Sequence, residues 1–392
     1  MEKQEWLEAD RSYLMQVHNK APIAIDHGQG ALLYDTDEKE YVDFTGGMGA
    51  NSLGCGNWQW ASAVGAQALR LANCGNRFVN GPAAELAEML CQRSGMSAAL
   101  FSNSGAEANE AMIKLARKYS FDKYGHGRNV ILTLNHSFHG HTVTTLSAAG
   151  QPRYHQYFYP FTDGFRHAEA GDIDSVLDAA GEDVCAVMLE LVQTDTGVLP
   201  LEREFVHRLA VLCAERDWLL LVDEIHTGIG RTGSLFAYQQ YGVLPDALSF
   251  ADGLAGGLPL GGLLTGEKCR SVLMVGQHDL LSGNPVSCAG ALAVLQQLSD
   301  EILEEVDIKG DLLRDFVRGL HSPRVAEVSG MGLLTGLRLE HIDAETMAQH
   351  CAEHGLLVLP VGEQWLRLTP PLTIDRKELM RGLTLLQQTL CE

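Results

Sequence analysis

The stretch LLLVDEIHTGIGRTGSLFAYQQYGVLPDALSFADGLAGGLPLGGLL, from Leu219 to Leu264, decides the fold of this chain. It opens with the apolar run 219–222, which is too short for a helix and bounded by charge, and so predicts a fully buried strand of a parallel sheet. Asp223 and Glu224 end that strand, and in open α/β sheets ligands bind at this carboxyl edge. A glycine-rich loop and a second strand-like run, 247–251, follow.

The composition describes a large, acidic, globular chain. With 392 residues, 46% of them apolar, the chain can bury large cores and should form two or more lobes. Its 29 basic and 50 acidic residues give a net charge of −21, which disfavours nucleic acids and anionic membranes as partners. Nine scattered cysteines without zinc-type spacing indicate buried thiols in a reducing compartment. Without a signal-peptide pattern or an apolar run of about 18 residues, we predict a soluble cytoplasmic protein that holds no metal.

A second informative stretch, FSNSGAEANEA, covers residues 101–111. Ser104 and Glu107 predict a capping box, and the helix behind it has an apolar face that includes Met112 and Leu115. A helix N-terminus exposes unpaired N–H groups and a partial positive charge, so it can hold a phosphate. Most capping boxes only cap, however, so this motif alone does not define a site.

Two further buried strands end in polar residues. The run 129–134 is followed by Ser137-Phe138-His139-Gly140, and the run 186–189 ends in Glu190. Buried strands that alternate with helical segments predict an α/β fold with a large, mostly parallel central sheet.

The order of these motifs resembles the class III, fold-type I family of pyridoxal-phosphate (PLP) aminotransferases, over about residues 15 to 390. The acetylornithine/ornithine branch fits best, on NSLG (51–54), NSGAEANEA (103–111), DE-x-x-TG-x-GRTG (223–233) and RL-x-PPL (367–372). The resemblance implies a large α/β domain over residues 50–275 and a small α+β domain from both termini, residues 1–49 and 276–392. It also implies a homodimer with pockets at its interface and a small amino-acid-like ligand.

The resemblance implies roles for residues in the stretch 101–111 and at the end of the predicted strand 219–222. Asp223 matches the aspartate that pairs with the pyridinium nitrogen of PLP. Ser104, Gly105 and Ala106 match the motif that cradles the cofactor phosphate.

Four further residues match positions around the ring and the substrate. Phe138 keeps the aromatic that stacks on the cofactor ring, and His139 follows it. Glu190 and Arg367 match substrate-side residues. Taken singly, a Phe after a strand is more typical of core packing and an arginine more typical of the surface.

The chain departs from the family pattern where the chemistry is most demanding. Members of the family have their Schiff-base lysine in an Ala-Lys-Gly-Leu context, whereas this chain has Ala251-Asp252-Gly253-Leu254. A carboxylate cannot form the imine that the lysine amine forms, and no substitute is evident among the nine lysines.

Other departures fall at positions that touch cofactor or substrate in the family. His226 replaces a glutamine and could act as a base, and His141 replaces an arginine that clamps the substrate carboxylate. The loop Thr194-Asp195-Thr196 has lost glycines, which implies another backbone path or a filled pocket. Leu280 stands where a threonine binds the phosphate.

These assignments give three sets of candidate residues. The candidate catalytic residues are Asp252 and His226; the candidate cofactor-binding residues are Ser104, Gly105, Ala106, Phe138, His139, Asp223 and His226; the candidate substrate-binding residues are His141, Glu190, Asp195 and Arg367.

Three functional hypotheses compete. In the first, the chain is a non-catalytic relative that keeps the fold and dimer as a binding or regulatory partner. In the second, it is an enzyme that uses noncovalent pyridoxamine phosphate (PMP), with Asp252 or His226 as the base. In the third, it transaminates weakly with free PLP, or the aspartate is an engineered change, which would not explain Leu280 and His141. We favour the first, with any PLP or PMP bound noncovalently and weakly.

Overall fold

The computed structural model describes residues 3–278 and 281–391. The strands are β1 Ile25–Gln29, β2 Leu32–Asp35, β3 Glu40–Asp43, β4 Ala98–Ser102, β5 Val130–Leu134, β6 Phe165–Ala168, β7 Val184–Glu190, β8 Val192–Gln193, β9 Leu199–Pro200, β10 Leu219–Asp223, β11 Ala247–Phe250, β12 Gly261–Thr265, β13 Val325–Met331, β14 Leu334–Leu339, β15 Leu356–Leu357, β16 Leu359–Val361 and β17 Trp365–Leu368. The α-helices are α1 Lys3–Tyr13, α2 Trp58–Arg70, α3 Gly81–Ser94, α4 Gly105–Tyr124, α5 Val143–Ala148, α6 Ile173–Ala179, α7 Arg203–Arg216, α8 Ala237–Tyr241, α9 Pro285–Gln297, α10 Asp300–Gly319, α11 Ala344–Glu353 and α12 Arg376–Cys391. Short 3₁₀ helices lie at Pro152–Tyr154, Asp252–Ala255 and Glu267–Cys269.

The main sheet has seven strands in the order β4-β12-β11-β10-β7-β5-β6. Six of them run in the same direction, and β12 runs opposite to the other six. Every residue of β5, β7, β10 and β11 is buried, as expected for apolar strands that are covered on both faces. The prediction of a large, mostly parallel sheet is therefore confirmed.

The register of this sheet brings polar residues together at its carboxyl edge. Asp223 of β10 lies opposite Glu190 of β7 on one side and Ser249 of β11 on the other. Because β4 and β11 both pair antiparallel with β12, they run in the same direction. The N-terminus of α4, which follows β4, consequently lies at the same edge as Asp223.

Two smaller sheets involve the N-terminal and C-terminal parts of the chain. The strands β1, β2 and β3 are joined by β15, which pairs parallel with β3. A second sheet has the order β13-β14-β17-β16. The division into residues 1–49, 50–275 and 276–392 stays a prediction.

The cap of α4 differs from the predicted capping box. Ser104 Oγ accepts a hydrogen bond from the N–H of Glu107 at 3.2 Å, as predicted. The Glu107 carboxylate, however, accepts from the backbone N–H of Asn103 at 2.7 Å, one residue before the cap, and from the Asn103 side chain at 3.1 Å. Because Asn103 offers two donors to one carboxylate oxygen, the reciprocal half of the predicted box is wrong.

The described helices include none whose length and apolar character would allow it to cross a membrane.

Candidate ligand-binding site

Asp223 is a buried carboxylate with four hydrogen-bond partners. It lies at the end of β10 and is 4% exposed. Its Oδ2 is 2.7 Å from His139 Nδ1 and accepts from Asn109 Nδ2 at 2.8 Å. Its Oδ1 accepts from the backbone N–H of Ile225 at 3.1 Å and from Ser249 Oγ at 3.3 Å. Burial alone would raise the pKa of Asp223, but the hydrogen bond and attraction of His139, with the other donors, hold it below its usual value.

Glu190, on the adjacent strand, has the opposite tendency. Its side chain is buried and accepts a hydrogen bond from the backbone N–H of Phe138 at 2.9 Å. Burial and then the negative charges of Asp223 and Asp195 raise the pKa of Glu190 well above its usual value, against the donors around it. The edge therefore holds one carboxyl group that favours ionisation and a neighbour that favours protonation.

The N-terminus of α4 packs closely against the loop that follows β10. A Cβ atom on Gly105 would lie 2.7 Å from Ile225 Cδ1, so a larger residue here would require the Ile225 side chain to shift. On the other side, a Cβ on Gly140 would lie 2.9 Å from that of Ala106. The first N–H groups of α4, at and after Gly105, have no acceptor within the helix, and they could hold an anion beside Asp223.

Three aromatic rings lie next to this edge. The Phe138 ring centroid is 4.9 Å from that of His141 and 5.4 Å from that of Tyr154. The His141 and Tyr154 rings are 5.9 Å apart and nearly perpendicular. The sequence placed His141 with the substrate, and the structure shows its imidazole among aromatic neighbours.

Asp195 belongs to a polar cluster that the sequence analysis missed. Its Oδ2 accepts from Tyr154 OH at 2.8 Å and from Gln151 Nε2 at 2.9 Å, and it forms an ion pair with Arg153. Burial and the charge of Asp195 raise the pKa of Tyr154 to about 12. The signal lay in the segment 151–154, but its contact with residue 195 depends on tertiary structure.

Asp252 begins the 3₁₀ helix after β11, and its carboxylate is in contact with His226. Asp252 Oδ2 is 2.9 Å from His226 Nδ1, and the two side chains are 32% and 25% exposed. The Asp252 backbone has φ of +31°, in the left-handed region that aspartate tolerates better than most residues. Both side chains line a cleft, which we call the open cleft; its lining includes Met48, Ser52, His226, Arg231, Asp252 and Arg367.

Two buried arginines form another wall of the open cleft. Arg231 and Arg367 are 4% and 8% exposed. Arg231 Nη1 donates to the carbonyls of Leu333 and Pro370 at 3.2 and 2.6 Å. Arg231 Nη2 and Arg367 Nε are buried and have no hydrogen-bond partner among the described residues. Burial lowers the pKa of both arginines, Arg231 to about 10, while the charge of Asp252 opposes this.

The sequence analysis named Arg367 but not Arg231. Arg231 stands in the quoted GRTG motif, so a signal existed, but its burial and its proximity to the other arginine could not be read from the motif. A buried guanidinium with an unpaired nitrogen favours an anion nearby.

All nine lysines lie in the described ranges, and none lines the open cleft. Lys268 is 3.5 Å from Asp246, at the opposite end of β11 from Asp252, and Lys114 donates to the carbonyl of Gln277. The same ranges contain no group of three or more His, Cys, Asp and Glu side chains arranged to hold a metal ion.

The structure groups the predicted residues into two adjoining parts. We call the first the strand-end edge; it comprises Asp223, Glu190, His139, Phe138 and the α4 N-terminus at 104–106. The second is the open cleft, with Asp252, His226 and Arg367. Ile225 links them, because its side chain both contacts Gly105 and lines the cleft. His141 and Asp195 lie beside the edge, and Leu280 falls outside the described residues.

A mostly parallel seven-stranded sheet with this strand-end edge has the fold-type I aminotransferase architecture, as solved structures confirm. The chain aligns with the ornithine aminotransferase of Toxoplasma gondii at a TM-score of 0.95 and 29% identity, over 99% of this chain and 94% of that one. It aligns with the N-acetylornithine aminotransferase of Stenotrophomonas maltophilia at 0.84 and 32%, over 98% of each chain.

The chain belongs to the class III aminotransferase family, whose model, described as aminotransferase class-III, matches residues 13–390. It is 45% identical over 386 residues to the acetylornithine aminotransferase of Haemophilus ducreyi, covering 98% of both proteins. It is 39% identical over 381 residues to the succinylornithine transaminase of Citrobacter koseri, covering 95% of this chain and 93% of that protein. The predicted family and its acetylornithine-type relatives are confirmed.

Proposed function

We propose that Asp252 occupies the position of the family's Schiff-base lysine, and that this chain binds its ligand noncovalently instead of carrying out ordinary acetylornithine/ornithine-type transamination. The lining of the open cleft supports the proposal, because it offers the carboxylate of Asp252 and the imidazole of His226 but no lysine. The lining of the open cleft thus contains no amine that could form an imine with a cofactor.

The strand-end edge still fits a pyridoxal-type cofactor. The low pKa of Asp223 suits a protonated ring nitrogen, and the N-terminus of α4 suits a phosphate. His139 Nε2 and Asn109 Oδ1 are buried without a partner in the described part of the chain, which leaves polar capacity at this edge. A structure of the Toxoplasma ornithine aminotransferase is described with partial PLP occupancy at its active site, which supports PLP or PMP as the ligand class.

When bound, such a cofactor would supply an electron sink for bond changes at an attached amino group. The chain's own residues divide the remaining tasks. Asp223 would hold the ring nitrogen, and the N–H groups at 104–106 would hold the phosphate. Arg367, buried and without a hydrogen bond at Nε, would attract a ligand carboxylate. Because Asp252 cannot form a covalent bond to the ligand, the ligand can dissociate, and we expect weak binding.

A second candidate function is proton transfer to or from a noncovalently bound PLP or PMP. The contact between Asp252 Oδ2 and His226 Nδ1 favours it, because it places a carboxylate beside one ring nitrogen of an imidazole. His226 Nε2, which makes no hydrogen bond to the residues described, would then hold or release the proton.

We expect the working form to be a homodimer with pockets at its interface. The described chain exposes large apolar side chains, including Trp58 at 74% and Val79 at 92%, with Leu281 also exposed. Trp60 is held within the chain, because its indole N–H donates to the Ala255 carbonyl at 2.9 Å. A second copy of the chain would remove the exposed surface from water. Light scattering at micromolar concentration tests this, and a monomer would contradict it.

The proposed function predicts that PLP binds but can be removed. We would incubate the protein with PLP, treat it with borohydride and map modified peptides by mass spectrometry. We expect no specific lysine adduct, loss of the cofactor on desalting, and a dissociation constant in the micromolar range or weaker by calorimetry. A single modified lysine with turnover of acetylornithine and 2-oxoglutarate, or nanomolar retention of PLP, would contradict the proposal.

A further inference from the structure

The Asp252 carboxylate has one close contact and lines the open cleft. Its Oδ2 is in contact with His226 Nδ1 at 2.9 Å, whereas Oδ1 has no hydrogen bond to any described residue. The side chain keeps 32% of its surface exposed although the surrounding loop is largely buried. One carboxylate oxygen is thus available to a ligand.

The backbone at Asp252 indicates that this orientation is fixed by the surroundings. Its φ of +31° lies in a region that non-glycine residues enter at a cost. The residue before it, Ala251, is buried, and Leu254 and Ala255 after it are buried in the core. The packed neighbours therefore fix the backbone from which this side chain projects.

The charges of the cleft define the ligand that would fit. Asp252 is the one acidic residue of the lining described, and it faces two guanidiniums, Arg231 and Arg367. Both arginines are more than nine-tenths buried and have a nitrogen without a hydrogen-bond partner in the described chain. A carboxylate beside two such cations is complementary to a zwitterion that carries both an ammonium and an anionic group.

We propose that Asp252, which contacts His226, is a binding group for a primary ammonium, so that the site selects amine-bearing ligands over their aldehyde or keto forms. This rests on the proposed function, since it takes the cofactor site at the strand-end edge as the neighbour of the cleft. At the position where the family supplies an amine, this chain supplies the acceptor for one. The natural ligand is then PMP in preference to PLP, with the amino group donated to the free oxygen of Asp252.

Isothermal titration calorimetry on the protein tests the proposal with two matched pairs of ligands. PMP carries an aminomethyl group where pyridoxine 5′-phosphate carries a hydroxymethyl group, and neither compound forms an imine with lysines. Glutamate and 2-oxoglutarate share their carboxylates and differ in the amino group, so this pair identifies a free amino acid as the source. We expect a preference of about tenfold or more for the amine member of the first pair, the effect of one charge-assisted hydrogen bond.

Asp252→Asn and Asp252→Gly provide the controls. Asparagine keeps the shape and tolerates positive φ, and glycine adopts it freely, so both should fold, as melting curves would check. Both should lower the PMP preference to about twofold or less while leaving pyridoxine phosphate affinity within about threefold.

The outcomes separate this inference from the proposed function. Equal binding of both members of both pairs overturns the ammonium site and leaves the proposed function standing. A preference that persists in Asp252→Asn and Asp252→Gly overturns it as well, because another group then binds the amine. If no pyridoxal-type ligand binds at all, the proposed function fails together with the inference. A preference in the glutamate pair alone supports the ammonium site and assigns it to a free amino acid.

Discussion

Asp223 ends strand β10 and Asp252 follows the neighbouring strand β11, yet their carboxylates lie in different surroundings. Asp223 is almost fully buried and has four hydrogen-bond partners, whereas Asp252 is 32% exposed and contacts His226. The fold thus engages both oxygens of the first carboxylate, whereas one oxygen of the second has no hydrogen bond to the described residues. We infer that the strand-end edge is a structural as well as a binding element, and we expect a change of the Asp252 side chain to cost the fold little.

We expect the largest effect on stability from a substitution at Asp223. Asp223→Asn leaves His139 Nδ1 and Asn109 Nδ2 facing an amide in a buried site, and we expect a loss of about 3–5 kcal/mol in the free energy of unfolding. Urea unfolding followed by circular dichroism measures it. The matched control is Ser249→Ala, which removes the 3.3 Å contact and should cost about 1 kcal/mol. If Asp223→Asn is as stable as the control, the edge is not structural.

Glu224, the residue after Asp223, predicts a dependence of stability on pH. Its carboxylate accepts from the N–H groups of Ala237 and Tyr238, but burial raises its pKa to about 7 from an ordinary 4.5. Between those values the folded protein holds a proton that the unfolded chain has released, so this group's contribution to stability falls as pH rises from about 4.5 to 7. Above the folded pKa the total loss is about 3 kcal/mol.

The measurement compares wild type with Glu224→Gln, which cannot titrate. We expect the difference in unfolding free energy to move in favour of the variant as pH rises from about 4.5 to 7, on top of any constant offset from the amide. A pH-independent difference would show that Glu224 titrates normally in its buried site.

The open cleft gives the opposite kind of test, because we expect its changes to affect ligand chemistry more than stability. On the proposed correspondence with the family pattern, Asp252→Lys returns an amine but not the phosphate threonine at Leu280 or the carboxylate arginine at His141. Each missing contact costs on the order of 1–3 kcal/mol, and contacts in one pocket do not act independently. We therefore expect little transamination from the single variant, and about 10²-fold more from Asp252→Lys combined with Leu280→Thr and His141→Arg.

The assay for both variants is the absorbance of lysine-bound cofactor and the turnover of an ornithine-type donor with 2-oxoglutarate. A single variant with the turnover of an ordinary transaminase would show that the rest of the pocket is intact. That outcome would contradict our interpretation of the departures at His141 and Leu280 as changes in one functional pocket.

The smallest effect concerns the cluster beside the edge. Asp195→Asn removes one of the causes that raise the pKa of Tyr154 to about 12, and burial, the larger cause, remains. We expect this pKa to fall but to stay above the ordinary 10, because burial is the larger cause. Ultraviolet titration of tyrosinate measures it, with Tyr154→Phe identifying the signal. An unchanged titration would mean that Asp195 is not the charge that Tyr154 senses.

Much of the fold was accessible from local sequence. The apolar runs at 219–222 and 247–251 predicted β10 and β11, because a short buried strand needs only consecutive apolar residues and a polar stop. The helix after Ser104 followed from its cap and periodicity. The reciprocal part of the cap was wrong, since a competing donor at Asn103 has no distinct sequence signature.

By itself, the sequence determined the class of fold and the residue types at its carboxyl edge, including Asp223 and an aspartate at 252 where an amine was expected. Tertiary structure alone decided their partners: His139 reaches Asp223 across 84 positions, and Gln151 reaches Asp195 across 44. It also decided that Arg231 lies buried beside the cleft. The physical reason is that strand formation depends on neighbours along the chain, whereas burial, pKa and pairing depend on which distant segments the sheet register brings to the same edge.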